Sequence, residues 1–297
     1  MVPEIRRISD VGGAEVRGLD MRRPLDEATR RRLGQAFVEH GVLLFRAQPL
    51  TPAELTVFAR HFGSLQPHVQ RRYQHPEAPE VVIMTNRKAD GSFDEAGARR
   101  GAIERTRDGW HSDLSYDPVP AKATLLHSVE VPSRGGNTCF ANSALAYRDL
   151  PAALKAALDG REAEFVYGGN TYNKKTAIAA SALDAEGRRS AHAVHPAVVV
   201  HPDTGRPAIY INPVITTRII GLPADESDAV MSAVFDHLDR PEYRWEHAWS
   251  VGDTLMWDNL GGVMHTGRLD YPLDEARRFI RTTVRGQPVI MHRPGRA

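Results

Sequence analysis

The stretch GWHSDLSYDPVPAKATL, Gly109–Leu125, decides how this chain is read. It sets a histidine and a carboxylate two positions apart, His111 and Asp113, just before a run holding Pro118 and Pro120 and a strand-like segment from Ala121. Residues two apart on a strand point to one face, so an imidazole and a carboxylate can be aimed at the same point. Two such groups do not hold a metal alone. A third has to arrive from elsewhere, and His265 in WDNLGGVMHTGRLDYP is the candidate. It follows the strand-like TLMWD and a Gly-Gly bend that turns the backbone inward. Its separation of 152 residues from Asp113 (265 minus 113) is easily closed where late strands return beside early ones.

Outward from this stretch the chain alternates short strand-like runs with scattered helices. Near the N-terminus, PLDEATRRRLGQAFVEHG spaces its apolar residues on one helical face and stops at Gly41. VLLFR, Val42–Arg46, reads as a buried strand. TPAELTVFARHFG opens with Thr51 as N-cap, Pro52 in the first helical position and Glu54 completing a capping box. After Leu125, ATLLHSVEVPSRGGNTCFAN gives two strands around a Ser-Arg-Gly-Gly turn, and DLPAALKAALDG a helix. AVHPAVVVHPDTGRPAIYINP and YRWEHAWSVGDTLMWDN each read as strand, turn, strand. LPADESDAVMSAVFDHLDRP is an amphipathic helix, and RRFIRTTVRG a last strand. The expected fold class is mainly β with flanking helices, a jelly roll or barrel rather than a regular βαβ alternation. One domain over 1–297 is expected, with a polar loop at about 86–109 beside the His111 pair and a helical insert at about 143–190.

Bulk composition narrows the function classes. The 297 residues are 41% hydrophobic and 25% charged with a net charge of +1, so bulk charge recruits neither nucleic acid nor a membrane surface. Cys139 is the single cysteine, which rules out an intrachain disulfide and suggests a reducing compartment. MVPEIRRISDVGG has no signal-peptide apolar core and no run is long enough to span a bilayer, so a cytoplasmic location is expected. Two imidazoles and a carboxylate on one face of a metal leave three adjacent positions open, the arrangement of non-haem Fe(II) oxygenases.

Four segments resemble the taurine dioxygenase (TauD/TfdA) family of Fe(II)- and 2-oxoglutarate-dependent dioxygenases. They are GVLLFRAQPLTPAELTVFARHFGSL, WHSDLSYDPVPAKATLLHSVEVPSRGGNTCFAN, HPAVVVHPDTGRPAIYINP and WSVGDTLMWDNLGGVMHTGRLDYPLDEARRFIRTTVRG. The resemblance implies a double-stranded β-helix, with His111, Asp113 and His265 as catalytic iron ligands. It implies Fe(II), 2-oxoglutarate as co-substrate and O2, with hydroxylation of a small molecule accompanied by release of succinate and CO2. Because the carboxylate of Asp113 is present, hydroxylation is favoured over the halogenation seen in relatives with a small residue there. The distal carboxylate of 2-oxoglutarate requires a cation. Arg277 matches the first of two late arginines, Arg281 the second, and Thr138 the threonine that bonds the same carboxylate. A guanidinium grips a carboxylate through two parallel hydrogen bonds. His265 and Arg277 are twelve residues apart, one more than the resemblance implies, which keeps Arg278 as an alternative.

The same resemblance places substrate contacts at His68, Arg71 and Arg281, with Arg281 between co-substrate and a substrate anion. Arg71 falls where taurine dioxygenase has a tyrosine, which suggests a small anion other than taurine: a different sulfonate, an aryloxyalkanoate or another carboxylate. Relatives form dimers or tetramers, so a homo-oligomer is an open expectation. Other residues are read as framework: His192, His195 and His201 on strands, Trp257 and Tyr116 as wall or core, and Arg99, Arg100, Arg105 and Arg107 as a solvated loop face. Two other functions compete with the dioxygenase. A catalytically silent 2-oxoglutarate-binding barrel would not need all three ligands, and a zinc hydrolase would have no use for Thr138 and the paired arginines.

Overall fold

The computed structural model describes residues 2–67, 73–98, 102–103, 105–167 and 192–294. Its first elements are β1 (Glu4–Arg7), β2 (Ala14–Arg17), α1 (Glu27–His40), β3 (Val42–Phe45) and α2 (Pro52–Ala59). Capping chemistry sets both helix boundaries. The Asp26 carboxylate accepts from the Thr29 N–H, and Gly41, at φ +70°, ends α1 in a left-handed turn that a β-carbon would strain. The expected capping box of α2 is formed: Thr51 Oγ1 accepts from Glu54 N, and Glu54 Oε2 accepts from Thr51 N.

Next come β4 (Gln74–His75), β5 (Ala78–Thr85), α3 (Glu95–Ala98), β6 (Ala102–Ile103), β7 (Ala121–Glu130) and β8 (Thr138–Asn142). Beyond them lie α4 (Ser143–Arg148), α5 (Ala152–Leu158), β9 (Glu162–Val166), β10 (His192–Pro196), β11 (Val198–Val200), β12 (Pro207–Ile209) and β13 (Thr216–Ile219). The chain continues through α6 (Ala224–Leu238), β14 (Arg244–His247), β15 (Thr254–Asp258), β16 (Val263–Arg268), β17 (Arg278–Arg285) and β18 (Ile290–Met291). The stretch 143–167, expected as helical, holds two helices and then a strand, β9, paired with β10 and β13. Residues 168–191 of that stretch, including most of YGGNTYNKKTA, lie outside the described residues.

Two sheets carry the site. The major sheet has strand order β1-β2-β3-β15-β7-β17-β5-β4, and the facing sheet β14-β8-β16-β6. The major sheet is covered on both faces, which is why β3 and β15 are buried at every position instead of alternating. Leu43, Phe45, Leu125, Met256 and Ile280 face Leu33, Phe37, Leu55 and Phe58 of α1 and α2. Val42, Leu44, Leu126, Leu255, Trp257 and Phe279 face the other way and pack with Phe140 and Val263 of the smaller sheet. The Phe140 ring meets Trp257 edge-on at 5.8 Å across this interface. This is a jelly roll, as expected.

Non-local pairing brings the distant segments together. β15 lies between β3 and β7, β17 between β7 and β5, and β16 beside β8. YRWEHAWSVGDTLMWDN is strand, turn, strand as expected, but its strands enter opposite sheets: β14 pairs with β8, and β15 with β3 and β7. The intervening turn crosses between the two sheets.

Candidate active site

His111 and His265 face each other across a two-residue bridge. His111 N–H donates to His265 O at 3.1 Å and His265 N–H donates to His111 O at 3.0 Å, with the ring centroids 4.2 Å apart. Asp113 is reached differently from the expected strand alternation. The chain leaves the bridge into a turn that holds Asp113 and then Leu114, which is in the left-handed region at φ +57°, and the Asp113 carboxylate lies beside the rings. One nitrogen from each histidine and one carboxylate oxygen lie within 4.8 Å of one another. Asp113 Oδ2 is 3.2 Å from His265 Nε2, and Oδ1 is 4.0 Å from His111 Nε2.

The Gly109 carbonyl can only accept, so the His111 nitrogen 2.8 Å away, Nδ1, carries the proton and Nε2 keeps its lone pair. The ring is neutral near pH 7, since burial and then the neighbouring His265 pull its pKa down to about 4. Burial by itself pushes the Asp113 carboxyl up, but Arg281, His265 and His111 outweigh it and hold the group well below the usual carboxylate range. Two imidazoles and a carboxylate, at least one ring in the ligating tautomer, suit a divalent transition metal with open positions.

Two side chains donate to the carboxylate, Thr124 and the expected Arg281, and Asn259 braces it indirectly. Thr124 Oγ1, on β7, donates to Asp113 Oδ2 at 2.6 Å. Asn259 donates through Nδ2 to Thr124 Oγ1 at 3.0 Å and accepts the Asp113 N–H through Oδ1, also at 3.0 Å. Arg281 Nη1 reaches Asp113 Oδ1 at 3.2 Å. Asn259 is placed by the turn between β15 and β16, where the Asp258 carboxylate accepts from Leu260 N and Gly262 N. His201, expected on framework, packs its Nε2 3.5 Å from Asp258 and supports the same turn. A β-carbon at Gly262 would come within 2.5 Å of Asp258 Oδ2, so the carboxylate that holds this turn would have to shift.

A cavity beside His111, Asp113 and His265 is lined by Met84, Leu126, Thr138, Trp257, Gly267, Arg277, Phe279 and Arg281. Arg277 and Arg281 both enter it, flanking Phe279 at strand spacing. Arg278 is exposed and turned away. Arg277 is buried, its guanidinium 4.3 Å over the Phe279 ring and 5.7 Å over Tyr271, and it donates to Gly136 O at 3.3 Å. Nε of Arg277 and Nε of Arg281 are buried without a partner among the described residues. A buried guanidinium and a half-buried one, each with a donor to spare, suit an anionic ligand. Gly136 belongs to the expected Gly-Gly turn and sits at φ +68°, where a β-carbon would press on Arg277 Nε at 3.2 Å.

His68 and Arg71 lie outside the described residues, as do Arg99 and Arg100. Arg107 departs from the expected solvated loop face: it pairs with Asp236 on α6 at 2.5 Å and with Ser232 Oγ at 2.7 Å, pinning the end of the 86–109 loop. Trp257 is buried cavity wall, 4.4 Å from the His265 ring, and Tyr116 is core. His192 pairs with Glu164, and His195 bonds the Asp117 carbonyl. Among the described residues, no helix is long and apolar enough to cross a membrane.

Comparison with known proteins agrees with this geometry. The family described as "Taurine catabolism dioxygenase TauD, TfdA family" matches residues 4–283. The alpha-ketoglutarate-dependent 2,4-dichlorophenoxyacetate dioxygenase of Cupriavidus pinatubonensis is 30% identical over 287 residues, covering 93% of this chain and 96% of that protein. An alkylsulfatase of Acinetobacter baylyi is 29% identical over 293 residues, covering 96% of this chain and 85% of that protein. The crystal structure of AAD-2 in complex with Mn(II) and N-oxalylglycine superimposes with a TM-score of 0.81 at 27% identity, covering 98% of this chain and all of that one. Fold and relatives together define a 2-oxoglutarate-dependent dioxygenase, an oxidoreductase that uses Fe(II), 2-oxoglutarate and O2 on a small organic molecule. The chain belongs to the TauD/TfdA family.

Proposed function

We propose that His111, Asp113 and His265 hold the ferrous ion, that Arg277 and Thr138 receive the distal carboxylate of 2-oxoglutarate, and that Arg281 links the metal ligand to an anionic substrate. The observation that carries this reading is the meeting of His111, Asp113 and His265 beside a cavity holding the guanidinium groups of buried Arg277 and half-buried Arg281, each with a buried, unpartnered Nε among the described residues. When bound, the iron with 2-oxoglutarate and O2 supplies the oxidising chemistry that yields succinate and CO2 and hydroxylates a C–H bond. The chain's own residues supply geometry. Gly109 holds the His111 tautomer, while Thr124 and Arg281 grip opposite oxygens of Asp113 and keep its carboxylate from rotating. Leu126, Trp257 and Phe279 wall the cavity with apolar surface, which excludes water and strengthens the charge interactions inside it.

The substrate in this reading is a small organic anion such as an aryloxyalkanoate, an alkyl sulfate or a sulfonate. Arg281 supports it, as do relatives named for 2,4-dichlorophenoxyacetate and for alkyl sulfates. His68 and Arg71 enter as substrate contacts on the family resemblance alone. The chain is read as one dioxygenase domain acting in the cytoplasm, a setting supported by the single buried thiol of Cys139. Association into a dimer or tetramer rests on the resemblance.

The test is succinate release with Fe(II), 2-oxoglutarate and O2 across matched pairs of anions and their methyl esters. At least one anion is expected to raise succinate release about tenfold or more over the substrate-free rate, and its ester to do so far less, since a charge-assisted contact is worth a few kcal/mol. Equal stimulation by ester and acid would contradict the anionic assignment.

A further inference from the structure

We propose that Trp249 is a positioning residue that commits the Thr138 hydroxyl to donating its proton into the cavity, and so helps to select a 2-oxo acid that carries a distal carboxylate. This rests on the reading of Thr138 and Arg277 as the distal-carboxylate site. A threonine hydroxyl has one proton and two lone pairs, and an indole N–H can only donate. Trp249 Nε1 donates to Thr138 Oγ1 at 3.0 Å. The hydroxyl is thereby an acceptor on that side, and it donates to no group among the described residues. Its proton is left for an acceptor in the cavity that Thr138 lines with Arg277.

The indole is itself held firmly. Its ring stands edge-to-face against His247 at 4.9 Å and against Phe279 at 4.8 Å. Phe279 is the ring on which the Arg277 guanidinium lies. One side chain therefore braces both donors, Thr138 by a hydrogen bond and Arg277 through the aromatic ring beneath it. The turn carrying Trp249 is anchored by buried Asp253, which accepts from Ser250 N and Arg46 and lies 3.2 Å from His247 Nε2. The ordering of this polar pair before the co-substrate arrives lowers the entropy cost of binding it.

The experiment compares Trp249→Phe and Thr138→Val with the unaltered protein, all loaded anaerobically with Fe(II). Binding of 2-oxoglutarate and of 2-oxovalerate, which has the same chain length and no distal carboxylate, is followed by the visible band of the chelated 2-oxo acid. Phe keeps an aromatic edge against Phe279 and removes the N–H. Trp249→Phe is expected to weaken 2-oxoglutarate about five- to tenfold, less than the full worth of a hydrogen bond to a charged group because the hydroxyl stays and only its orientation is freed, and to leave 2-oxovalerate within about twofold. The double variant is expected to be no weaker for 2-oxoglutarate than Thr138→Val alone, because the two residues act through one proton. Equal weakening of both acids by Trp249→Phe would mean a packing role and would overturn the proposal. Loss of selectivity in Thr138→Val with none in Trp249→Phe would overturn it too, while leaving the Thr138 reading intact. Unchanged selectivity in Thr138→Val would sink that reading and the proposal with it.

Discussion

Replacing Asp113 with alanine is expected to lower turnover by about a thousandfold or more and to abolish the visible band formed anaerobically with Fe(II) and 2-oxoglutarate. The carboxylate is the one anionic member of the proposed ligand set, and a bound metal contributes several kcal/mol to the reaction, each 1.36 kcal/mol being about tenfold in rate. The change also strips Arg281 and Thr124 of their shared acceptor. Melting temperature and circular dichroism therefore have to accompany the kinetics. A folded variant that keeps turnover within tenfold would show that Asp113 is not a ligand. Asn259→Ala makes a graded comparison. It removes the acceptor of the Asp113 N–H and frees Thr124 to rotate, and it is expected to weaken metal binding by about tenfold to a hundredfold without eliminating it.

Arg277→Ala is expected to raise the KM for 2-oxoglutarate by about a hundredfold or more and to change the use of 2-oxovalerate little. Truncating one partner of a buried charge pair costs about 2–5 kcal/mol in binding. Stability should move the other way. In the ligand-free protein Arg277 is a buried cation whose charged form burial disfavours, with Nε unpartnered and no carboxylate hydrogen-bonded to it among the described residues. Removing an uncompensated buried charge relieves a penalty. The melting temperature of ligand-free Arg277→Ala is thus expected to equal or exceed that of the unaltered protein, and 2-oxoglutarate should stabilise the unaltered protein alone. Arg277→Lys, which keeps charge and loses the planar fork, should fall between. Equal losses for both 2-oxo acids would contradict the assignment, as would an undisturbed KM in Arg277→Ala with a raised one in Arg278→Ala.

Local chemistry was the most legible part of this molecule. The N-cap of α2, the stop of α1 at Gly41 and the position of β3 follow from spacings of a few residues, and the structure has them where the sequence puts them. The His-x-Asp pair was legible as a pair but not in its backbone, because strand alternation and a bridge followed by a turn can aim the same two side chains at one point. Arg277 and Arg278 could not be separated by counting from His265. The intervening stretch 269–277 belongs to no strand, so its length can absorb one residue without shifting any register. The arginines divide only when Arg281 and Phe279 are seen on the cavity face and alternation is run backward from them. Thr124, Asn259 and Trp249 were invisible as supporting residues for a related reason. Each acts on a partner 11, 146 or 111 positions away, and only the pairing of β7 with β15 and of β8 with β14 in three dimensions supplies those partners.

The account depends on one metal meeting three side chains, and anomalous diffraction from crystals grown with Mn(II) and 2-oxoglutarate tests this most directly. It predicts a single strong peak in the cavity, ligated by His111 Nε2, an oxygen of Asp113 and a nitrogen of His265, with the 2-oxo acid filling two of the remaining positions and its far carboxylate against Arg277. A peak that omits any of these three side chains, or no peak in this cavity, would contradict it.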